Sequence, residues 1–220
     1  MQLIYCKRNQ KKVRVGRMNN TDQCRDIEEL NPLCQILLNK ALIDIKANGI
    51  NPLVVETYRS QVRQNYLYSL GRTIKGTKVT WTQVSIHTKR NAIDLVPQRK
   101  IDGEMTAIWN AQDKETKKII AIMVGYGFEA GVNWSTSPDS PHFQIKGVSS
   151  TSKSFGSTNT NVYITMMIQK ALNDKINAKL IVDGKWGECT TKAVNKFRKL
   201  QGWKEDGKVG VETLKKLLVS

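Results

Sequence analysis

A run of small polar residues divides the chain and limits what it can fold into. From Gly147 to Asn161 the sequence reads GVSSTSKSFGSTNTN, which is nearly all Ser, Thr, Gly and Asn. Such a composition offers little apolar surface for burial and is typical of a flexible tether. We therefore expect a larger domain over residues 1–146, a flexible linker over residues 147–161, and a smaller domain over residues 162–220.

The chain is strongly basic, with 35 Lys and Arg against 19 Asp and Glu and a net charge of +16. A field of this sign attracts polyanions, which include nucleic acids, anionic lipids and anionic cell walls. No recognition helix, zinc knuckle or aromatic stacking platform of a nucleic-acid module is recognisable. One basic run allows either a nucleic-acid-binding arm or the solvated edge of a short strand around Val13 and Val15, and we prefer the second interpretation. It consists of Lys7, Arg8, Lys11, Lys12, Arg14 and Arg17.

Cysteine spacing and hydropathy indicate the cellular compartment in which the protein is made. Cys6, Cys24, Cys34 and Cys189 show no CxxC or similar paired spacing, so we expect free thiols, as in a protein made in a reducing cytoplasm. The first residues, MQLIYCK, lack the apolar core of a signal peptide, and no segment approaches the ~18 apolar residues of a membrane span. The sequence predicts no membrane insertion, and an external substrate would require another route out of the cell.

Hydrophobic periodicity and capping residues predict strands mixed with helices, without a regular alternation of the two. Asn31 can cap a helix that has Pro32 in its first position and ends before Gly49. Together the segments favour the α+β class. The predicted helices cover 31–48, 60–70 and 107–126, the last interrupted near 112–114, and the predicted strands cover 52–58, 92–96 and 142–145.

The smaller domain contains an internal echo. The pentapeptide DGKWG at 183–187, followed by Thr190, recurs 23 residues later as DGKVG at 206–210, followed by Thr213. Each copy predicts a tight Asp-Gly turn that leads into a helix capped near the threonine. Two such copies would form a small all-α module.

Only two histidines occur in the chain, and acidic residues accompany both. Asp94 follows His87 by seven residues, and His142 lies three residues after Asp139. A His/His/Asp set is a usual catalytic zinc arrangement. Seven residues of helix would separate the two α-carbons by about 10 Å, and an extended segment by more than 20 Å. The segment must therefore fold back for His87 and Asp94 to bind one ion.

Spacing alone leaves two interpretations open. A buried histidine is more often a hydrogen-bonded core residue than a metal ligand, and the His-Glu-x-x-His signature of many zinc hydrolases is absent. However, Asp94 lies inside an apolar run, where a carboxylate is costly unless it is paired or binds a metal.

Five linked motifs, taken together over roughly residues 30–146, carry a family resemblance. In chain order they are Tyr58-Arg59-Ser60 with Gln64, Leu67-Tyr68, Gly71-Arg72-Thr73, Ser85/His87/Asp94, and Asp139/His142/Phe143-Gln144. They resemble the D-Ala-D-Ala carboxypeptidase/L-alanyl-D-glutamate endopeptidase family of zinc peptidases, which includes many phage endolysins. Residues 162–220 resemble the peptidoglycan-binding module of wall hydrolases through Gln169, Leu172-Asn173, the DGKWG turn and Phe197.

The resemblance implies a fold and a set of roles. The fold is the hedgehog/lysostaphin type, a small antiparallel sheet flanked by helices, with a small all-α C-terminal domain. One Zn²⁺ is expected on His87, Asp94 and His142, with Asp139 as general base. Arg59 would stabilise the oxyanion or a substrate carboxylate, and Ser85 and Gln64 are candidate substrate contacts. Arg90 stands where the family usually has Gly, so its side chain must point away from the metal, or it could reach an acidic group of the substrate.

The implied function is that of an endolysin that hydrolyses stem peptides of bacterial peptidoglycan at the L-Ala–D-Glu bond. Release through a holin pore would take it to the wall. Its expected partners are peptidoglycan and anionic wall polymers, with no nucleic acid, and a monomer is the expected state. The alternatives are a D-Ala-D-Ala carboxypeptidase and a catalytically silent wall-binding protein.

Overall fold

The computed structural model describes residues 21–149 and 151–218. Its first part is built on an antiparallel sheet in the order β1-β2-β5-β4, with β3 paired to β2. The chain thus places β5, late in this part, directly beside β2. The strands are β1 (Pro52–Glu56), β2 (Ala92–Ile101), β3 (Glu104–Ala107), β4 (Glu129–Ala130) and β5 (His142–Gln144).

Two helices precede β2, and both are predicted helices whose first turns are capped by a side chain. Helix α1 (Pro32–Ala47) starts after Asn31, whose side-chain oxygen accepts the backbone N–H of Leu33 at 2.9 Å. Helix α2 (Gln61–Ser69) starts after Ser60, which caps the N–H of Arg63 in the same way. These caps satisfy backbone donors that the first helical turn leaves open.

Helices α1 and α3 (Lys114–Gly125) pack against the sheet and together form the core of this part. Ile93 and Leu95 alternate with Asp94 along β2, so their side chains point to the opposite face and are buried. They belong to one apolar cluster with residues of α1 and α3, among them Leu37, Leu38, Ile119 and Met123. Apolar burial on one face of β2 thereby leaves Asp94 on the other.

The predicted helix over 107–126 is wrong in its first half. Residues up to Ala107 belong to β3, and α3 begins only at Lys114. Asp113 accounts for the late start, because its carboxylate accepts the N–H groups of Glu115 and Thr116 and caps the helix there.

The C-terminal part contains α4 (Val162–Ile176), α5 (Glu188–Leu200) and α6 (Val211–Leu218). Both copies of the Asp-Gly echo precede a helix, but the predicted caps are wrong. Helix α5 is preceded by Gly187, and Thr190 and Thr213 lie buried inside the first turns of their helices. The threonine hydroxyls accept hydrogen bonds from side chains of neighbouring helices instead of capping their own helix.

The segment predicted to be a flexible linker is packed along much of its length. Strand β6 (Ser154–Phe155) pairs with β7 (Val209–Gly210), and the Phe155 side chain is fully buried. The polar residues are also engaged, since the side-chain amide of Asn161 donates to the backbone carbonyl of Lys146. Polar composition suggested a free tether, yet one buried phenylalanine and paired backbone hold this segment in place.

The predicted α+β class is confirmed, with a small antiparallel sheet flanked by helices and a helical C-terminal part. Among the described residues, no helix is both long and apolar enough to cross a bilayer. Cys34 is a buried free thiol, Cys189 is an exposed one, and Cys24 is buried. Cys6 and the basic N-terminal run lie outside the described residues.

Candidate active site

The sheet register places three polar side chains in one row. Glu56 of β1 lies opposite Asp94 of β2, and Asp94 lies opposite His142 of β5. Directly opposed residues of antiparallel strands point to the same face, with β-carbons about 5 Å apart. Strand pairing alone therefore brings together residues that are far apart in sequence.

His87 reaches the same place from a 3-10 turn, Ile86–Lys89, that precedes β2. The Ser85 side chain begins this turn by accepting the N–H of His87. Arg90 ends it in the left-handed conformation, with φ 61°, and the chain reverses into β2. This is the fold-back that the spacing of His87 and Asp94 requires.

Three ligand-type atoms meet at the centre of the site. His87 Nε2 lies 3.1 Å from Asp94 Oδ1 and 3.2 Å from His142 Nδ1, and the last two atoms are 3.2 Å apart. Ligands about 2.0–2.1 Å from a tetrahedral zinc ion are separated by about 3.3 Å. The spacing of these three atoms therefore suits a single divalent ion.

The outer contacts of both histidines direct ring lone pairs toward that centre. His87 Nδ1 lies 2.6 Å from the carbonyl of Thr57, which can only accept, so the Nε2 lone pair faces Asp94. His142 Nε2 bonds the side-chain oxygen of Gln144, whose amide nitrogen donates to Glu129. Such outer partners fix the tautomer of metal-binding histidines. In this tautomeric state three atoms with lone pairs face one another and no hydrogen lies between them. A cation at the centre would accept all three lone pairs.

A proton on His142 can supply positive charge in place of a cation, and the pKa values describe that protonated arrangement. Burial opposes ionisation of Asp94, but the neighbouring charges and hydrogen bonds of His87 and His142 outweigh it and hold the pKa of the Asp94 carboxyl well below its usual range. Burial would likewise lower the pKa of His142, but its hydrogen bond to Asp94 raises it above the ordinary value.

Arg59 joins the row through the second oxygen of Asp94. Its Nη2 lies 3.5 Å from Asp94 Oδ2 and also contacts Glu56, while Nη1 donates to Gln64 at 2.9 Å. Nε donates to Glu56 as well, so among the described residues four of the five guanidinium N–H groups have an acceptor. Arg59 orients Asp94 and keeps one N–H for a group in the adjacent groove.

Gln64 was a candidate substrate contact, and its position excludes that role. Its side chain is fully buried and donates to the carbonyl of Thr82, while its oxygen accepts from Arg59. The amide therefore links Arg59 to the loop around Thr82. Gln64 positions residues of the site and does not reach the groove.

Asp139 lies at the groove, beside the row and exposed to solvent. The groove walls desolvate its carboxyl and Asp94 is nearby, so the pKa of Asp139 is raised above its usual range. Its backbone holds the turn that carries His142, because Asp139 accepts the N–H of His142 and donates to the carbonyl of Gly131.

Sequence reasoning missed Gly131. A β-carbon at this position would lie 2.6 Å from the carbonyl oxygen of Asp139 and 3.1 Å from the β-carbon of His142. Only a residue without a side chain allows the turn to close this tightly. No motif marks such a glycine, because the contact forms between segments that only the fold brings together.

Arg90 points away from the ligand cluster, as its replacement of glycine requires. Its guanidinium bonds the backbone and carboxylate of Glu29 and stacks over the ring of Tyr58, 4.0 Å from the centroid. The alternative that Arg90 reaches an acidic group of a substrate is therefore wrong, since an internal acid already occupies it.

The cluster lies in an open groove of about 1030 Å³. Ser85, His87 and Asp139 line it together with Arg59. One part of its lining, the Trp81 wall, consists of Val79, Trp81 and Val84, and another part, the Trp134 wall, runs from Trp134 to Pro138. A groove of this volume has room for a peptide segment next to the His87/Asp94/His142 cluster.

Two family models match the chain. Residues 78–145 match the family described as D-alanyl-D-alanine carboxypeptidase, and residues 165–217 match a peptidoglycan-binding domain family. The first range contains His87, Asp94, Asp139 and His142. Both resemblances predicted from the motifs are confirmed.

Individual relatives agree with these matches. A Bacillus subtilis (strain 168) protein, the peptidoglycan L-alanyl-D-glutamate endopeptidase CwlK, is 33% identical over 106 residues, 44% of this chain and 62% of its own length. The L-alanyl-D-glutamate peptidase of Listeria phage A118 is 30% identical over 128 residues, 53% of this chain and 42% of its own length. The chain thus spans less than two thirds of either relative.

Among solved structures, the Serratia marcescens L-Ala D-Glu endopeptidase ChiX aligns with a TM-score of 0.42 at 22% identity, over 56% of this chain and 87% of that one. The residues of the cluster, His87, Asp94 and His142, all lie in the segment that matches the D-alanyl-D-alanine carboxypeptidase family, and the segment that matches the peptidoglycan-binding domain family follows it.

Proposed function

We propose that the protein is a zinc-dependent peptidase that hydrolyses peptidoglycan stem peptides between L-Ala and D-Glu. The observation that carries the proposal is the triangle of His87 Nε2, Asp94 Oδ1 and His142 Nδ1, at 3.1–3.2 Å, on the floor of an open groove beside Asp139. The names of the two curated relatives supply the substrate and the bond.

Zinc suits this donor set of two imidazoles and one carboxylate, and when bound it polarises a carbonyl and promotes ionisation of water. The protein's own groups do the rest of the work. Asp139 accepts the proton of the attacking water and returns it to the leaving amine, as a general base and then a general acid. Arg59 uses its remaining N–H to stabilise the charge that develops on the carbonyl oxygen or to bind a carboxylate of the substrate.

The open groove favours an endopeptidase over a carboxypeptidase. A carboxypeptidase needs a closed end that holds the terminal residue, whereas this cluster lies in a large groove of about 1030 Å³, which has room for more than one terminal residue. An endopeptidase needs room on both sides of the cut. The second match, to a peptidoglycan-binding domain, supports an insoluble wall polymer as the substrate.

We further propose that the protein acts as an endolysin. One relative is a phage peptidase, and the net charge of +16 favours adsorption to anionic wall polymers. In this proposal the protein reaches the wall after release from the cytoplasm through a holin.

Purified wall digested with the protein tests the reaction. Mass spectrometry should show new D-Glu amino termini, and both the activity and the bound zinc should be lost in His142→Ala. Release of free D-Ala instead would support the carboxypeptidase alternative. Unchanged fragments would support the silent wall-binding alternative, and full activity in excess chelator would contradict the zinc-dependent mechanism.

A further inference from the structure

The Trp81 wall exposes apolar surface that the proposed chemistry does not use. Trp81 is 67% exposed, and Val79 and Val84 on the same wall are 57% and 69% exposed. A large aromatic side chain left open beside a binding groove is typical of a ligand contact rather than of packing. Trp134, which also lines the groove, differs, because its indole N–H bonds Glu129 and its ring packs against His142.

Cations hold the Trp81 ring in place. The guanidinium of Arg72 lies 3.9 Å from the ring centroid of Tyr68 and 5.7 Å from that of Trp81, and the ammonium of Lys78 lies 5.8 Å from the Trp81 ring. Arg72 is itself fixed, since it donates to the carbonyls of Tyr68 and Thr80. Both cations attract the indole ring and favour this placement of it.

The wall is also tied to the ligand cluster. Gln64 donates to the carbonyl of Thr82, the residue after Trp81, and accepts from Arg59, which contacts Asp94. Thr82 in turn bonds the backbone of Val84 in both directions. The backbone next to Trp81 is thus connected by hydrogen bonds to the site where a peptide bond would be cut.

The chemistry of the proposed substrate indicates which of its groups would contact the Trp81 indole. L-Ala is the first residue of the stem and is joined through a lactyl group to an amino sugar. Two residue-length units span at most about 7 Å, so a sugar ring must lie beside the groove when the L-Ala–D-Glu bond is placed at the cluster. For a terminal D-Ala bond the sugar would lie several residues further away.

We propose that Trp81 binds the glycan strand of peptidoglycan, with its indole face against the apolar face of the amino sugar that carries the stem. This inference rests on the proposed function and deepens it. Trp81 would make the enzyme prefer stems still attached to glycan over free stem peptides.

The test compares two substrates within each protein. One is a disaccharide carrying the stem tetrapeptide, and the other is the same tetrapeptide with an acetylated amino terminus and no sugar. The measured quantity is the ratio of kcat/KM for the first to that for the second. Because both values come from the same preparation, the ratio does not change with the fraction of folded enzyme.

We expect the wild-type ratio to be about tenfold, as for a strong aromatic contact, and Trp81→Ala to bring it close to one. Trp81→Phe should keep most of the preference, because the ring face is retained. Trp109 is a matched control: it is 56% exposed and does not line the groove, so Trp109→Ala should leave the ratio at the wild-type value.

A wild-type ratio of one, or an equal ratio in wild type and Trp81→Ala, would overturn the sugar-binding role. These outcomes differ from a failure of the proposed function, in which the wild-type protein would cut neither substrate or would cut a different bond.

Discussion

At the residue scale, the turn between Gly131 and His142 decides where two functional side chains stand. No local sequence pattern identifies Asp139 as a general base, and that role was predicted from the family resemblance alone. The structure supplies the physical link, because Asp139 bonds the backbone of both Gly131 and His142. The carboxylate is thereby held beside the His87/Asp94/His142 cluster without being part of it.

Asp139→Asn should keep the bound zinc and lower kcat by about 10²–10⁴-fold, because the amide cannot accept a proton in the reaction. Zinc content by atomic absorption and stem-peptide hydrolysis measure the two effects. Asp102→Asn, in the turn between β2 and β3, is the control and should behave as wild type. Asp139→Asn with full activity would remove Asp139 from the mechanism.

Gly131→Ala should weaken zinc binding and activity together and lower the free energy of unfolding by about 1–3 kcal/mol, because its β-carbon overlaps the carbonyl of Asp139. Gly125 in α3 offers a matched control, since a β-carbon there meets nothing within 4 Å. Gly125→Ala should stabilise the protein by up to about 1 kcal/mol. Urea unfolding and zinc titration compare the variants; equal behaviour of both would contradict the close approach at Gly131.

At the element scale, the two Asp-Gly turns are each held by one side chain from a preceding helix. Gln169 of α4 contacts Asp183, the carbonyl of Lys185 and the hydroxyl of Thr190. Arg198 of α5 makes the same three kinds of contact to Asp206, Lys208 and Thr213, each of which lies 23 residues after its counterpart in the first turn. The repeat is thus structural as well as sequential.

Arg198→Lys should lower the free energy of unfolding by about 2 kcal/mol, because an ammonium cannot reproduce four contacts made by a planar fork. Lys199→Ala, on the same helix but exposed, should change it by less than about 0.5 kcal/mol. Thermal unfolding measures both. A similar small effect from the two substitutions would show that the fork does not hold the turn.

The elements were predictable to the extent that local residues decide them. Asn31 marks its helix start by capping, the helix predicted over 60–70 begins after the Ser60 cap, and the apolar run at 92–96 located the first half of β2. The start of α3 was predicted only as an interruption near residues 112–114, because apolar residues before Asp113 continue a helical pattern. In the structure Ala107 ends β3, and the Asp113 cap starts the helix at Lys114. Gln169 and Arg198 could not be recognised as equivalent, since they are not themselves 23 residues apart.

At the scale of the whole molecule, the two parts share one apolar cluster. Phe155, Ile164 and Leu214 belong to it together with Leu37 and Phe128 of the first part. A β-carbon on Gly127 would collide with Ile164 of α4, which shows how closely the surfaces meet. The division into domains at 147–161 stays a prediction. The flexibility of that segment was predicted from its polar composition, and composition does not show that a single phenylalanine in it is buried.

We expect a single cooperative unfolding transition in wild type, because the cluster is continuous. Phe155→Ala should lower the free energy of unfolding by about 3–5 kcal/mol and separate the transition into two, since it empties a fully buried site between the parts. Ser157→Ala, exposed in the same segment, is the control. Calorimetry measures the transitions; two separate peaks in wild type would contradict this packing.

The pairing of Ser154–Phe155 with Val209–Gly210 has a consequence for how such an enzyme would work on a solid. If the two parts were joined by a flexible segment, a protein bound at one place on the wall could cut many surrounding bonds. Because the parts are packed together, each binding event would bring only a few bonds within reach of the peptidase site. The rate of wall digestion would then depend on how often the wall-binding part dissociates, and tighter binding would slow digestion.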